Sequence, residues 1–398
     1  MIKELNSRKN FLKIMHILHV FKTLPLACGF RMVLTVILCL NFSSCREEVA
    51  ILPPDIIRVA EPEISDMRGF YLLNEGNMGS NKATLDYFDF FTGNYHINIF
   101  ANANPNVPKE LGDVGNDLAI YGSKMYAVLN ASNKVEVMNR HTAKRVGQID
   151  IPNCRYIKFH AGYAYITSYA GPIEINPNYT QIGFVAKVDT ATFEIIDRCF
   201  VGFQPDGIEI TDNKIYVANS GGYVVPNYEN TVSVIDIESF KEIKRIEVAI
   251  NLHRLQLDKY GVLWVSSRGD YFEQTSKLHW IDTKTDTYGG ALDVAVSGMT
   301  LDGDSLYIFS ADFNLTTTFA IVDVSKKEIV TRNFLANGAE NEFVRPYGIM
   351  VNPRNKDIYI TDASNYVHPG MLFCFDRHGN KKWQVRTGDI PAHFAILY

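Results

Sequence analysis

Residues 207–248 read GIEITDNKIYVANSGGYVVPNYENTVSVIDIESFKEIKRIEV. Four short runs rich in Val, Ile and Tyr stand out at 208–210, 214–218, 231–235 and 242–248, residue types that suit a pleated, half-buried surface. The Asp212–Asn213 pair marks a tight turn, and Asn219 to Gly222 opens a longer loop. Asp236 begins the last hairpin, where its carboxylate can accept from backbone N–H groups further along. One four-stranded sheet of this size cannot bury its own apolar faces and needs copies of itself on either side.

Working outward, those copies are present. The second run recurs as YLLNEG from Tyr71, MYAVLNAS from Met125, AYITSYAG from Ala164, LWVSSRGD from Leu263, LYIFSADF from Leu306 and IYITDASN from Ile358. The residue ending the third run recurs as Asp89, Asn139, Asp189, Asp236, Asp282, Asp323 and Asp376, a mean period of about 48 residues. Four strands in each of seven such periods predict an all-β, seven-bladed β-propeller. A sandwich gives no reason for seven near-equal periods, and an open solenoid would need polar caps. Copies of the first run begin near Asp117, Arg155, Gly207, Arg254, Gly298 and Tyr347, but none precedes Gly69. The missing copy is PAHFAILY from Pro391, so the C-terminal strand is expected to pair into the first blade and close the ring.

Composition fits one large β domain: of 398 residues, 46% are hydrophobic and 12% aromatic. The expected organisation is a signal segment over 1–44, a lipidated cysteine and extended tether over 45–68, and the propeller over 69–398. Arg31 precedes the short apolar run Met32 to Leu40, and Asn-Phe-Ser-Ser leads into Cys45. That run is too short to span a bilayer. Residues 1–30 are long for a basic lead, and a start at Met15 or Met32 accounts for them. Pro53, Pro54 and Pro62 favour an extended segment.

Residues 46–398 carry 33 Lys and Arg against 43 Asp and Glu, a formal charge of −10. With no basic run, nucleic-acid binding is disfavoured. Cys154, Cys199 and Cys374 remain beyond Cys45, and an odd number excludes complete internal pairing. Buried free thiols are expected, with a Cys154–Cys199 bridge in the third blade as the open alternative.

The long insertions fall at 74–81, 168–181, 219–230, 266–276, 310–317 and 362–370, all on the face where the first strands enter the ring. The turns of the opposite face are minimal. Long loops on one face concentrate variable surface there, as binding proteins do. They carry Tyr169, Tyr179, Tyr223, Tyr228, Tyr271, Phe272, Phe313 and Tyr366 beside Asn77, Asn227, Arg268 and His368. Tyrosine offers rigid apolar area with a polar tip, suited to a large amphipathic ligand. At the channel mouth the first-strand entries add Asn116, Asp117, Arg155, Tyr156, Asp206, Arg254, Tyr347 and His393. The same aromatics would otherwise pack loop against loop. No catalytic signature occurs: no His-x-x-x-His, Gly-x-Ser-x-Gly or phosphate-cradling Gly loop. No catalytic residue, metal ligand or cofactor is assigned, and the chain is read as a non-enzyme.

Pro205 to Asp236 resembles the repeat of the YncE-like seven-bladed propellers, P-x-G-I-A-I … Y-V-A-N … V-S-V-I-D, and the resemblance covers residues 69–398. Small residues before Cys45 resemble a bacterial lipobox, with Phe42 in place of the usual aliphatic residue. Arg46-Glu47-Glu48 behind the cysteine is similar to the surface-export signal of Bacteroidetes lipoproteins. Together these features resemble the BtuG-type cobalamin-capturing lipoproteins. The resemblance implies lipidation at Cys45, an outer-membrane location facing outward, a membrane contact through the lipid alone, and capture of cobalamin as ligand rather than cofactor for a TonB-dependent transporter. No short motif defines corrinoid contacts, so no contact residue is carried over. A protein-interaction or surface-layer module, or a metal-dependent propeller lactonase or lyase, are the alternatives.

Overall fold

The computed structural model describes residues 56–107, 110–211, 213–311 and 317–398. The signal segment, Cys45, Asp212 and Phe313 lie outside the described residues.

Seven antiparallel sheets form the propeller, numbered here as blades in chain order. Blade 4 is made of Pro205–Ile210, Lys214–Asn219, Thr231–Asp236 and Lys241–Glu247, in that order from the axis outward. The middle strands are apolar without alternation because both faces of each sheet meet another blade. Ile215 and Val217 pack with Tyr165 and Val185 of blade 3, while Tyr216 and Ala218 pack with Leu263 and Val265 of blade 5. The outermost strand is mostly exposed and carries Lys241, Lys244 and Arg245.

The innermost strands are Pro391–Leu397 for blade 1, then Gly115–Tyr121, Cys154–His160, Pro205–Ile210, Leu252–Leu257, Gly298–Asp302 and Pro346–Val351 for blades 2 to 7. As expected, the C-terminal strand pairs with Gly69–Asn74, with Leu72 opposite Phe394 and Tyr71 opposite Ala395. The ring is closed by backbone pairing within blade 1.

The repeated Asp or Asn has one local task throughout. Its side-chain oxygen accepts a backbone N–H two or three residues on: Phe91 at Asp89, His141 at Asn139, Ala191 at Asp189 and Ser239 at Asp236. Lys284, Ser325 and His378 do the same at Asp282, Asp323 and Asp376.

The free tether expected up to residue 68 is corrected. Ile56–Arg58 forms a fifth, outermost strand of blade 1, pairing with Asn94–His96. Beyond it the Glu63 N–H donates to the Phe90 carbonyl, Asp66 pairs with Arg354, and Met67 is fully buried. The short Ile-Ile-Arg run finds a partner because the edge of blade 1 is otherwise open. All three described cysteines are buried free thiols, so the Cys154–Cys199 bridge does not form. Cys154 lies on the innermost strand of blade 3 and Cys199 on the outermost.

Candidate functional site

At one end of the central channel the innermost strands depart from regular pairing. In blades 1, 2, 3, 4, 5 and 7 the register with the neighbouring strand slips at the mouth. Each slip is a β-bulge, which bends the strand and re-aims its side chains. The bulges hold Asn116, Arg155 and Tyr156, Asp206, His253 and Arg254, and Tyr347, with His393 beside the bulge of blade 1. Blade 6 keeps unbroken pairing, with Gly298 opposite Phe309, and carries no bulge between its two inner strands.

Hydroxyls on the second strands hold the bulges in place. Thr167 Oγ1 accepts from the Tyr156 N–H and donates to the Asp206 carbonyl, lacing blade 3 to blade 4. Thr361 Oγ1 accepts from the Gly348 N–H and donates to the Pro391 carbonyl, lacing blade 7 to blade 1. Ser266 Oγ accepts from the Arg254 N–H. The mouth side chains of the inner strands therefore rise from a cross-braced frame.

Over blades 3 to 5 the mouth is cationic. The fully buried Asp206 carboxylate accepts from Arg155 Nε at 3.0 Å, from the Tyr169 hydroxyl at 2.7 Å and from Arg268 Nη1 at 3.1 Å. Burial alone would raise the Asp206 carboxyl, but Arg155, Arg268 and the Tyr169 hydroxyl hold it below the usual carboxylate range. The Arg155 guanidinium also lies 4.6 Å from the Tyr169 ring centroid. Arg254 lies 4.9 Å over the Tyr156 ring, whose hydroxyl meets His253 Nε2 at 3.0 Å. Burial, then Arg268, Arg254 and Arg155, keep the His253 imidazole well below its ordinary range, so it is neutral.

Across the channel the character reverses. Glu75 accepts from the Tyr347 hydroxyl at 2.9 Å and meets His393 Nε2 at 3.0 Å. Tyr347 is stacked edge-on by Tyr366, and the Arg345 guanidinium lies 5.0 Å from the Tyr366 ring. Burial, then Glu75, pushes the Tyr347 hydroxyl well above its usual range, so it stays a donor.

The structure thus brings Arg155, Tyr156, Tyr169, Asp206, Arg254, Arg268, Tyr347, Tyr366 and His393 to one mouth. Above it the rim exposes Tyr271, Phe272 and Tyr366, with Phe272 at 89% exposure. Tyr228 is half-buried near Tyr271, and Tyr223 lies edge-on to Tyr169 at 6.5 Å. Tyr179 is buried and lies edge-on to Phe203. Asn77 and Asn227 shape their own turns, and exposed His368 bonds to Asn365. Asn116 and Asp117 serve the frame: the Asn116 amide donates to the Arg155 carbonyl and Asp117 accepts from the Ile157 N–H. Among the described residues no group of three or more His, Cys, Asp or Glu side chains could hold a metal ion.

Glu75 and His253 were not among the expected site residues. Glu75 follows the second strand of blade 1 directly, as Tyr169 and Arg268 follow those of blades 3 and 5. That shared position was the available signal.

Residues 68–382 match the family described as Domain of unknown function (DUF5074), and the chain belongs to that family. No curated protein sequence matches it. Among solved structures, a quinonprotein alcohol dehydrogenase-like protein from Bacteroides thetaiotaomicron VPI-5482 superposes with a TM-score of 0.56 at 13% identity, covering 83% of this chain and 78% of that one. The hydrazine synthase of Kuenenia stuttgartiensis superposes with a TM-score of 0.50 at 14% identity, covering 65% and 76%. At such identities the likeness is one of fold.

Proposed function

We propose that this chain is a non-catalytic capture protein that holds a large amphipathic ligand over the channel mouth. The observation that carries the reading is the joining of a fixed polar ring, built on bulged inner strands, to an exposed aromatic rim on the same face. Flat apolar area covers a ligand body, while the recessed arginines, tyrosines and Glu75 satisfy its polar groups. Of the ligands of this kind, a corrinoid fits the YncE-like and BtuG-type resemblance, and its fringe of amides matches a ring of donors and acceptors. On this reading the protein is anchored at the outer membrane through Cys45 and passes its ligand to a TonB-dependent transporter.

Isothermal titration of residues 46–398 with cyanocobalamin, in a competition format, tests the proposal. Stoichiometric binding that weakens at least tenfold in Tyr271→Ala and Phe272→Ala supports it. Absence of heat from folded protein at tens of micromolar ligand removes corrinoids and turns the search to protein partners.

A further inference from the structure

The charge accounting at the mouth does not close. Three guanidinium groups, Arg155, Arg254 and Arg268, gather over blades 3 to 5 around one carboxylate, Asp206. Asp206 is already spent on Arg155, Arg268 and Tyr169. Glu75, on the opposite wall, is engaged by His393 and Tyr347. Asp117 is turned into the backbone of blades 2 and 3, and Glu209 pairs with Lys158. Among the described residues, Arg254 meets the face of Tyr156 and no carboxylate within ion-pair distance. It is half-buried and raised on a bulge whose backbone is fixed by Ser266.

A half-buried guanidinium with unengaged N–H donors loses hydration without regaining it from the protein. Its planar fork matches two coplanar oxygens of a carboxylate or phosphate, and the neighbouring Arg155 and Arg268 raise the local positive potential. The aromatic face of Tyr156 fixes the plane of the fork.

We propose that Arg254 is an oxyanion seat at the channel mouth, and that the captured ligand enters with a phosphate or carboxylate group bound there. The assignment rests on the reading that the mouth is the ligand site, and adds a requirement that capture alone does not impose. Arg155 and Arg268 each commit one N–H to Asp206 and add positive field at the seat. The aromatic rim then closes over the uncharged remainder of the ligand.

The test is a thermal-unfolding titration of residues 46–398 with sodium phosphate and, separately, sodium acetate, each against sodium chloride at equal ionic strength. A saturable rise in the melting midpoint of roughly 2–4 °C, present in the wild type and absent in Arg254→Gln, is expected. Response to phosphate alone assigns the seat to a phosphate, and response to both assigns it to oxyanions generally. Arg254→Met, which keeps the packing over Tyr156, serves if the Gln variant is unfolded. A linear rise of equal slope in wild type and variant, the signature of general ion exclusion, would overturn the proposal. Saturable anion binding without cyanocobalamin binding would leave the seat standing and remove the corrinoid. Cyanocobalamin binding unchanged by Arg254→Gln, with no saturable anion response, would do the reverse.

Discussion

The Tyr156 hydroxyl and His253 Nε2 lie 3.0 Å apart, joining blade 3 to blade 5 over the mouth while blade 4 stands between them. A contact that skips a blade ties the mouth together independently of the nearest-neighbour packing around the ring. Tyr156→Phe keeps the ring beneath Arg254 but removes the bridge, and is expected to lower stability by about 1 kcal/mol. Urea unfolding at neutral pH measures it.

Asp206 is the keystone of the cationic side. Asp206→Asn leaves Arg155 and Arg268 close together without a counter-charge, and removing one partner of a buried ion pair costs roughly 3–5 kcal/mol. Denaturant unfolding reads the loss, and 0.5 M salt should recover part of it by screening the arginines.

Gly348 allows blades 7 and 1 to approach closely at the axis. A Cβ there would stand 2.1 Å from the Ala392 carbonyl oxygen, a backbone atom with nowhere to move. Gly348→Ala is expected to cost about 3 kcal/mol. Gly303→Ala, in an open turn at φ +62 with nothing within 4 Å, is expected to cost about 1 kcal/mol from the backbone alone. Parallel melts of the two variants separate crowding from conformation.

His279 gives the fold an acid dependence. Burial, then Lys277, lowers its imidazole to about 4, where it lies against the Ser267 and Tyr288 hydroxyls. The unfolded chain therefore binds a proton that the folded chain refuses between about pH 6.5 and 4. The contribution is complete above pH 6.5 and falls as the pH drops towards 4, by up to about 3 kcal/mol. His279→Gln should flatten that part of the stability profile, measured by urea unfolding across pH 4–7.

Deleting residues 391–398 removes the innermost strand of blade 1 and bares the edge of Gly69–Asn74. An unpaired apolar edge recruits other chains. The truncated protein is expected to lose its single cooperative transition and to elute as aggregate on size exclusion.

The fold was legible in the sequence because its signals are local. The Asp or Asn after each third strand acts on N–H groups a few residues away, and PAHFAILY was recognisable as the copy the first blade lacked. The inner-strand mouth positions were legible too, since they lie at the starts of inner strands, whereas Glu75 follows a second strand and was not. Their partnerships were not: Arg268 meets Asp206 across 62 residues and His393 meets Glu75 across 318, separations at which spacing carries no information. Tyr179 illustrates the same limit, because a loop tyrosine reads alike whether it faces solvent or Phe203. Ile56–Arg58 was missed because a three-residue strand between proline-rich flanks has no period of its own.

That short strand also decides how the molecule meets tension. A pull on the chain ahead of residue 56 first loads three residues of edge pairing against Asn94–His96, then the Glu63 and Asp66 attachments, and only afterwards the buried Met67. The strand that locks the ring is the last of the chain and lies at the axis, off this load path. A pull from the leading end therefore loads the outer edge of blade 1 before any strand at the mouth.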